Sequence, residues 1–340
     1  MINIGIVGLG FMAATHIRAY RQIPDARVAA ICNPSGRNLD GDFTNAGGNV
    51  GQMDPVRLDM SQVKAYRHFL EMLGDSDLDV IDICAPTSAH AELAIGALKS
   101  GKHVLCEKPM SRSSKLADEV CEAAAKARGF FMPAMCLRFW PEWKWLREAI
   151  GQKRYGNTLA ARFRRVAEPP GWGPRTFFNG AVSGGALLDL HIHDTDFIQF
   201  CFGRPKQVYS TGYSLFSGSI DHVVTQYRVP GDAIVHAEGA WSMSRGFGFT
   251  MEYTVNFENA TADYASTRGA EALRLCEKDK EPRVITFDGG DGFLGEIRYF
   301  LECVKKGRPP TIVTVQDGRS AIHICEAERQ SIKSGQAVDI

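Results

Sequence analysis

Two rhythms of apolar and polar residues divide the chain. In its first part, short and nearly continuous apolar runs alternate with stretches of helical period. The runs are "INIGIV" (2–7), "RVAAIC" (27–32), "DVIDICAP" (79–86), "HVLCEKP" (103–109) and "FFMPAMCL" (130–137). Between them lie a helix over about 11–22, one through "HAELAIGALKSG" (90–101) that Gly101 can end, and one over "SSKLADEVCEAAAKARG" (113–129). Strands apolar throughout, separated by helices, predict right-handed crossovers and a parallel sheet covered on both faces. The second part changes rhythm. "NTLAARFRRVAEP" (157–169), "QVYSTGYS" (207–214), "DHVVTQYRV" (221–229), "AIVHAEGAW" (233–241) and "FTMEYTVNFENATADYAS" (249–266) alternate apolar with polar residues. Such alternation predicts strands buried on one face only. With 340 residues the chain is long for one core, and the change of rhythm puts the expected division at 130/131: an α/β domain over 1–130, then a domain of one-sided strands over 131–340.

Ligands of a parallel sheet gather at the carboxyl ends of its strands. Gly8 and Gly10 follow the first strand, Asn33 the second, Pro86 and Thr87 the third, and Glu107, Lys108 and Pro109 the fourth. Gly8-Leu9-Gly10-Phe11-Met12-Ala13 fits the dinucleotide fingerprint with alanine at its third small position. The first glycine permits the tight turn, the second leaves room for a pyrophosphate, and the helix N-terminus offers amide N–H groups and a positive dipole end. An NAD site usually carries a carboxylate about 20 residues further on. Here Asn33, Ser35 and Arg37 stand instead, and these can donate to a 2′-phosphate. NADP is therefore the expected cofactor, with NAD as the alternative and a solvated Arg37 as the neutral reading. The polar stretch over 38–55 is long enough to reshape this pocket.

Composition narrows the partners. Lysine plus arginine and aspartate plus glutamate number 39 each, a balance without the electrostatic footprint of a nucleic-acid or anionic-membrane binder. No apolar run approaches the roughly 18 residues of a membrane span, and "MINIGIVGLG" lacks the parts of a secretion signal. The nine cysteines are scattered without close pairs, most of them in apolar segments, and are expected to be reduced. These features predict a cytoplasmic protein acting on a small molecule.

The densest chemistry lies in "GGALLDLHIHDTDFIQF" (184–200), where Asp189, His191, His193, Asp194 and Asp196 fall within eight residues. On a strand, Asp189, His191 and His193 would share a face and suit a metal. On a helix, Asp189 and His193 lie one turn apart while His191 points some 160° away from His193. A helix over 186–202, burying Leu190, Phe197, Ile198 and Cys201, is the expectation, and with it no metal. A histidine is well matched to exchanging a hydroxyl proton near neutral pH, and a lysine at the pocket edge to stabilising charge on the oxygen.

With the glycine fingerprint, "HVLCEKPMS" and "APTSAH" before it, the chain resembles the glucose–fructose oxidoreductase, inositol dehydrogenase and rhizopine catabolism (Gfo/Idh/MocA) oxidoreductases. Their P-x-x-x-H and E-K-P elements read here as Pro86 to His90 and Glu107-Lys108-Pro109. Their glycine pair before D-x-x-x-H reads as Gly184, Gly185, Asp189 and His193, and "AERQSIKSGQAV" (327–338) looks like their tail. The resemblance implies a Rossmann dinucleotide-binding domain over 1–130, followed over 131–340 by a substrate-binding and oligomerisation α+β domain with a large, open, mostly antiparallel sheet, and assembly as a homodimer or homotetramer. It also implies an NAD(P)-dependent oxidoreductase moving a hydride between nicotinamide and a hydroxyl-bearing carbon of a sugar, polyol or related cyclic alcohol. Carried over residue by residue, Lys108 stabilises charge, His193 is the acid/base and Asp189 orients the pair, all three also contacting substrate. The neutral readings are a surface lysine, and a helix histidine satisfied by Asp189 or Asp196. His191 departs from the glycine common in relatives and either lines the pocket or packs. Redox cycling on retained NAD(P), and a nucleotide sensor without turnover, are the rival functions; intact Lys108, Asp189 and His193 argue against the sensor.

Phe11, Met12, His90 and Glu107 complete the expected cofactor face. For His90, as for His16, capping or packing is the alternative. Trp172, Arg175 and Asn179, in the glycine-, proline- and aromatic-rich stretch before Asp189, are the further substrate candidates. Arg138, Trp140 and Trp143 either face the same cleft or cover the domain junction.

Overall fold

The computed structural model describes residues 1–48, 54–171 and 175–340, without the side chains of 175 and 176. The chain forms two compact units: Met1–Cys136 with Asp291–Arg319, and Leu137–Gly290 with Ser320–Ile340.

The first unit runs β1 (Ile2–Val7), α1 (Phe11–Tyr20), β2 (Ala26–Cys32), β3 (Lys64–Tyr66), α2 (Phe69–Leu73), β4 (Val80–Ile83), α3 (His90–Lys99), β5 (His103–Glu107), α4 (Ser114–Lys126) and β6 (Phe131–Ala134). Its six strands are all parallel, in the order β3-β2-β1-β4-β5-β6. Ile4, Ile6, Ile31, Val80, Ile81, Ile83, Val104 and Leu105 are fully buried, as two-faced coverage demands. The strand order reverses between β1 and β4, which puts the crevice at their carboxyl ends. β3 and α2 were not expected; three residues reading Lys-Ala-Tyr on a sheet edge carry no apolar run. The long polar stretch is partly folded: Phe43 and Val56 are buried and share a backbone hydrogen bond.

The second unit runs α5 (Pro141–Gly151), β7 (Thr158–Ala167), α6 (Gly180–Ser183), α7 (Ile192–Phe202), β8 (Gln207–Tyr213), β9 (His222–Arg228), β10 (Ile234–Ala240), β11 (Phe249–Phe257), β12 (Ala260–Ala265), β13 (Leu273–Glu277) and β14 (Arg283–Ile285). α8 (Gly292–Lys306), α9 (Val315–Ser334) and β15 (Val338–Asp339) close the chain. The sheet is open, in the order β14-β13-β12-β11-β7-β10-β9-β8-β15, and antiparallel except where β7 pairs with β10. One face is the core. Trp143 is fully buried there, its ring centroid 4.9 Å from Phe197, 5.2 Å from Tyr253 and 5.9 Å from Tyr264. It is a core residue of the second unit rather than a cleft or junction residue. The opposite face stays open, with Tyr209, Tyr213, Val224 and Ile234 exposed on β8 to β10.

α8 returns to the first unit and packs on α1, a grouping that a division at 130/131 leaves out. Its amphipathic stripe buries Glu296, Ile297, Phe300 and Leu301 but does not name its partner. All nine cysteines are free. Among the described residues no helix is long and apolar enough to cross a membrane.

Candidate functional site

The β1–α1 turn is built for an anion. Gly8 has φ +84°, and a Cβ there would stand 2.4 Å from the Ala85 Cα, so only glycine passes this close to the end of β4. Gly10 precedes α1, and a Cβ on it would meet nothing within 4 Å. No side chain caps the helix among the described residues, and its first turn holds no acidic residue. The first-turn amide N–H groups of α1 thus stand at a positive helix end with no carboxylate of that turn competing for them, which fits a pyrophosphate. Phe11 is flanked by the polar stretch: a Cβ on Gly48 would fall 2.1 Å from its ring.

After β2, the predicted cofactor residues form a compact turn. Asn33 Nδ2 donates to the Arg37 carbonyl at 2.8 Å, and Ser35 Oγ donates to Asn33 Oδ1 at 3.0 Å. Asn33 and Ser35 thus spend donors on the turn itself. The guanidinium of Arg67, a residue outside the predicted cofactor set, lies over this turn, where a Cβ on Gly36 would come within 2.8 Å of Nη2. Nothing in the sequence around β3 marked it.

Pro86 and Thr87 lead into α3 at the end of β4. His90 behind them is buried, with Nδ1 2.7 Å from the Pro109 carbonyl and Nε2 2.7 Å from that of Ala85. Burial lowers its pKa, against the pull of those two carbonyls. It ties the end of β4 to the turn after β5. Glu107 is also buried, and its Oε2 accepts the Lys108 backbone N–H at 3.2 Å. His90 and Glu107 thus shape the strand ends through inward bonds. Lys108 itself is half-buried at the end of β5, and its peptide bond to Pro109 is cis.

His16 sits deeper, its Nδ1 2.8 Å from Asp82 Oδ2 and its Nε2 3.1 Å from Glu107 Oε1. Burial works against charge on the ring, but the Asp82 carboxylate outweighs it and holds the pKa well above the usual value. Tyr20 donates to the same Asp82 oxygen at 2.8 Å; burial and then Asp82 push its pKa up.

In the second unit the Asp189 stretch is helical, with one irregularity. Leu187–His191 forms a π turn that runs into α7, a feature frequent at functional sites. Gly185, at φ +71°, enters it against β9's approach: a Cβ there would stand 2.4 Å from the Ile220 carbonyl. The acids then sort. Asp194 is fully buried in a two-pronged pair with Arg165, at 2.9 and 3.3 Å. Asp196 is buried likewise with Arg138, at 2.9 and 2.6 Å. Asp189 and His193, one turn apart, stay half-exposed. His191 is packed: fully buried, it touches the Gly239 position and has Nε2 2.9 Å from the Tyr227 hydroxyl. Phe197 and Ile198 are buried as expected, whereas Leu190 and Cys201 are only partly so. Asn179 is exposed and caps α6, accepting from the Ala181 N–H at 3.0 Å. Trp172 and the Arg175 side chain lie outside the described residues.

The profile of the GFO/IDH/MocA oxidoreductase family, NAD-binding Rossmann fold, matches residues 2–135, and that of the GFO/IDH/MocA C-terminal domain matches residues 143–263. The chain belongs to the GFO/IDH/MocA family. It is accordingly an oxidoreductase whose first unit binds a nicotinamide dinucleotide. It is similar to the myo-inositol 2-dehydrogenase of Thermotoga maritima, 26% identical over an alignment of 351 residues covering 100% of this chain and 98% of that one. It is also similar to the trans-1,2-dihydrobenzene-1,2-diol dehydrogenase of Macaca fuscata fuscata, 29% identical over 296 residues, 79% of this chain and 82% of that one. In fold it matches a levoglucosan dehydrogenase solved with NADH, with TM-score 0.86 at 19% identity over 100% of this chain and 99% of that one.

Proposed function

We propose that this family member is a dehydrogenase of a sugar, polyol or related cyclic alcohol, preferring NADP, with Lys108, Asp189 and His193 as its working residues. The sorting of the acids in Asp189–Asp196 carries the proposal. Two of the three are buried and neutralised by arginine, while Asp189 in the π turn and His193 in the first turn of α7 remain only partly buried. A purely structural role gives no reason to leave these two open while their neighbours are buried.

A bound nicotinamide supplies or takes the hydride. His193 holds the proton exchanged with the substrate hydroxyl, Asp189 orients it, and the Lys108 ammonium stabilises charge on the substrate oxygen. The relatives named above act, by their names, on inositol and a cyclic diol, which supports a ring bearing neighbouring hydroxyls. The preference for NADP rests on Asn33 in place of a carboxylate and on the two guanidinium groups of Arg37 and Arg67 about the β2 turn. Assembly as a dimer or tetramer through the open sheet face is supported by exposed Tyr209, Tyr213, Val224 and Ile234, interleaved with charged Arg164 and Glu238.

Fluorescence titration with NADPH and NADH, followed by turnover on a panel of cyclic polyols and sugars, tests the reading. Tighter NADPH binding that Arg37→Ala and Arg67→Ala together weaken, and oxidation of a vicinal ring alcohol, are expected. Tighter NADH binding would remove the NADP preference, and cofactor binding without turnover on any alcohol would remove the dehydrogenase assignment.

A further inference from the structure

Behind the nucleotide turn, three lone-pair-bearing groups face one another in a closed space. His16 on α1, Glu107 at the end of β5 and Glu296 on α8 are all buried, at 0%, 5% and 0% exposure. One ligand atom of each lies within 4.8 Å of the other two. The tautomer of His16 is set from behind. Asp82 already accepts from Tyr20, and its Oδ2 stands 2.8 Å from Nδ1, so Nδ1 carries hydrogen. In the neutral ring Nε2 is then a lone pair pointing at Glu107.

Glu296 makes the arrangement hard to satisfy with protons. Among the described residues neither of its carboxylate oxygens has a hydrogen-bond partner, although the residue is completely buried. A buried polar group left so is costly. A proton between His16 Nε2 and Glu107 Oε1, 3.1 Å apart, serves that pair alone and leaves Glu296 unserved. A cation at about 2.0–2.2 Å from each atom serves all three, and the ligand spacing admits it. Metal-bound histidines characteristically donate their second ring N–H to a carboxylate, the part Asp82 plays here.

We infer that His16, Glu107 and Glu296 form a structural site for a divalent cation of the zinc class, with Asp82 orienting the imidazole. One imidazole and two carboxylates form a donor set that zinc accepts. The site pins α1, β5 and α8 together, joining a helix from late in the chain to the strand that presents Lys108. It stands on first-unit residues alone and does not depend on the substrate or the roles of His193 and Lys108. The sequence predicts no metal, since helical spacing spreads the ligands of the Asp189 stretch and no second histidine cluster replaces them; His16, Glu107 and Glu296 are too far apart along the chain to read as a ligand set.

The test is metal content. Protein purified without chelator is assayed for bound metal, stripped, and titrated with Zn2+ and with Co2+, with thermal unfolding followed in parallel. One tightly held equivalent per chain is expected, with a raised Tm on zinc addition and a visible Co2+ spectrum of low coordination number. Glu296→Gln, which keeps shape and removes the ligand charge, should lose that equivalent and the Tm response. Glu296→Leu serves as a second variant if the amide still binds. Wild-type protein that takes up no zinc overturns the inference, whether water or a proton fills the space. Retention of the equivalent in both variants overturns it as well.

Discussion

Each unit buries carboxylates, and the two do so differently. In the second, Asp194 and Asp196 each meet one arginine in a two-pronged pair. Glu328 accepts from Tyr227 at 2.6 Å and from Thr195 at 3.3 Å. In the first unit, Asp82, Glu107 and Glu296 are grouped about one histidine, and their remaining partners are Tyr20, Cys84 and the Lys108 N–H. No lysine or arginine side chain pairs with these three among the described residues. The two aspartates of one core are therefore balanced by arginines, whereas the three carboxylates of the other share one histidine behind a turn shaped for phosphates. The comparison separates acids matched one to one by arginine from acids clustered about a single imidazole.

Breaking a balanced pair should have the largest effect. Arg165→Ala leaves Asp194 buried and unpaired and should destabilise the protein by about 3–5 kcal/mol in denaturant unfolding, whereas the double change Arg165→Met with Asp194→Leu should cost little. A cost in the double variant as large as in the single one would contradict the pairing. Tyr227→Phe removes a donor to Glu328 and a partner of His191, and about 1–3 kcal/mol is expected; a change within noise would mean the group is not a network. The smallest effects are slopes with pH, of opposite sign in the two units. Burial, then the charge of Glu107, raises the pKa of Glu296 above 4.5. In metal-free protein its contribution to stability is complete below that value and is lost as pH rises toward the folded pKa, and Glu296→Gln should flatten the loss. Glu238, lowered to about 2 by the His222 hydrogen bond and then held there by Arg164, contributes above pH 4.5 and loses its contribution as pH falls toward 2. Screened by solvent at its half-open position, Glu238→Gln should remove on the order of 1 kcal/mol of that acid sensitivity.

Much of this was legible in the sequence, for a physical reason. Parallel strands covered on both faces must be apolar throughout, and one-sided strands must alternate, so β1, β4, β5 and β7 to β10 announce themselves. Edge strands such as β3, β14 and β15 are short and half-solvated, and nothing forces a pattern on them. Helical spacing separated His191 from His193 and placed Asp189 a turn from His193. It did not show which acids are structural, because Arg165 and Arg138 stand 29 and 58 positions from their partners. Nor did it show Glu296 beside Glu107, since an amphipathic helix declares that it packs and not against what.

Turnover of His193→Asn tests the central claim most directly, because the amide keeps the size and removes the acid–base chemistry. With NADPH binding and folding unchanged, kcat on the alcohol substrate should fall about 10²–10⁴-fold. A kcat within threefold of the wild type, at about the same cofactor affinity, would contradict the assignment of His193 and with it the reading of the π turn as the working face.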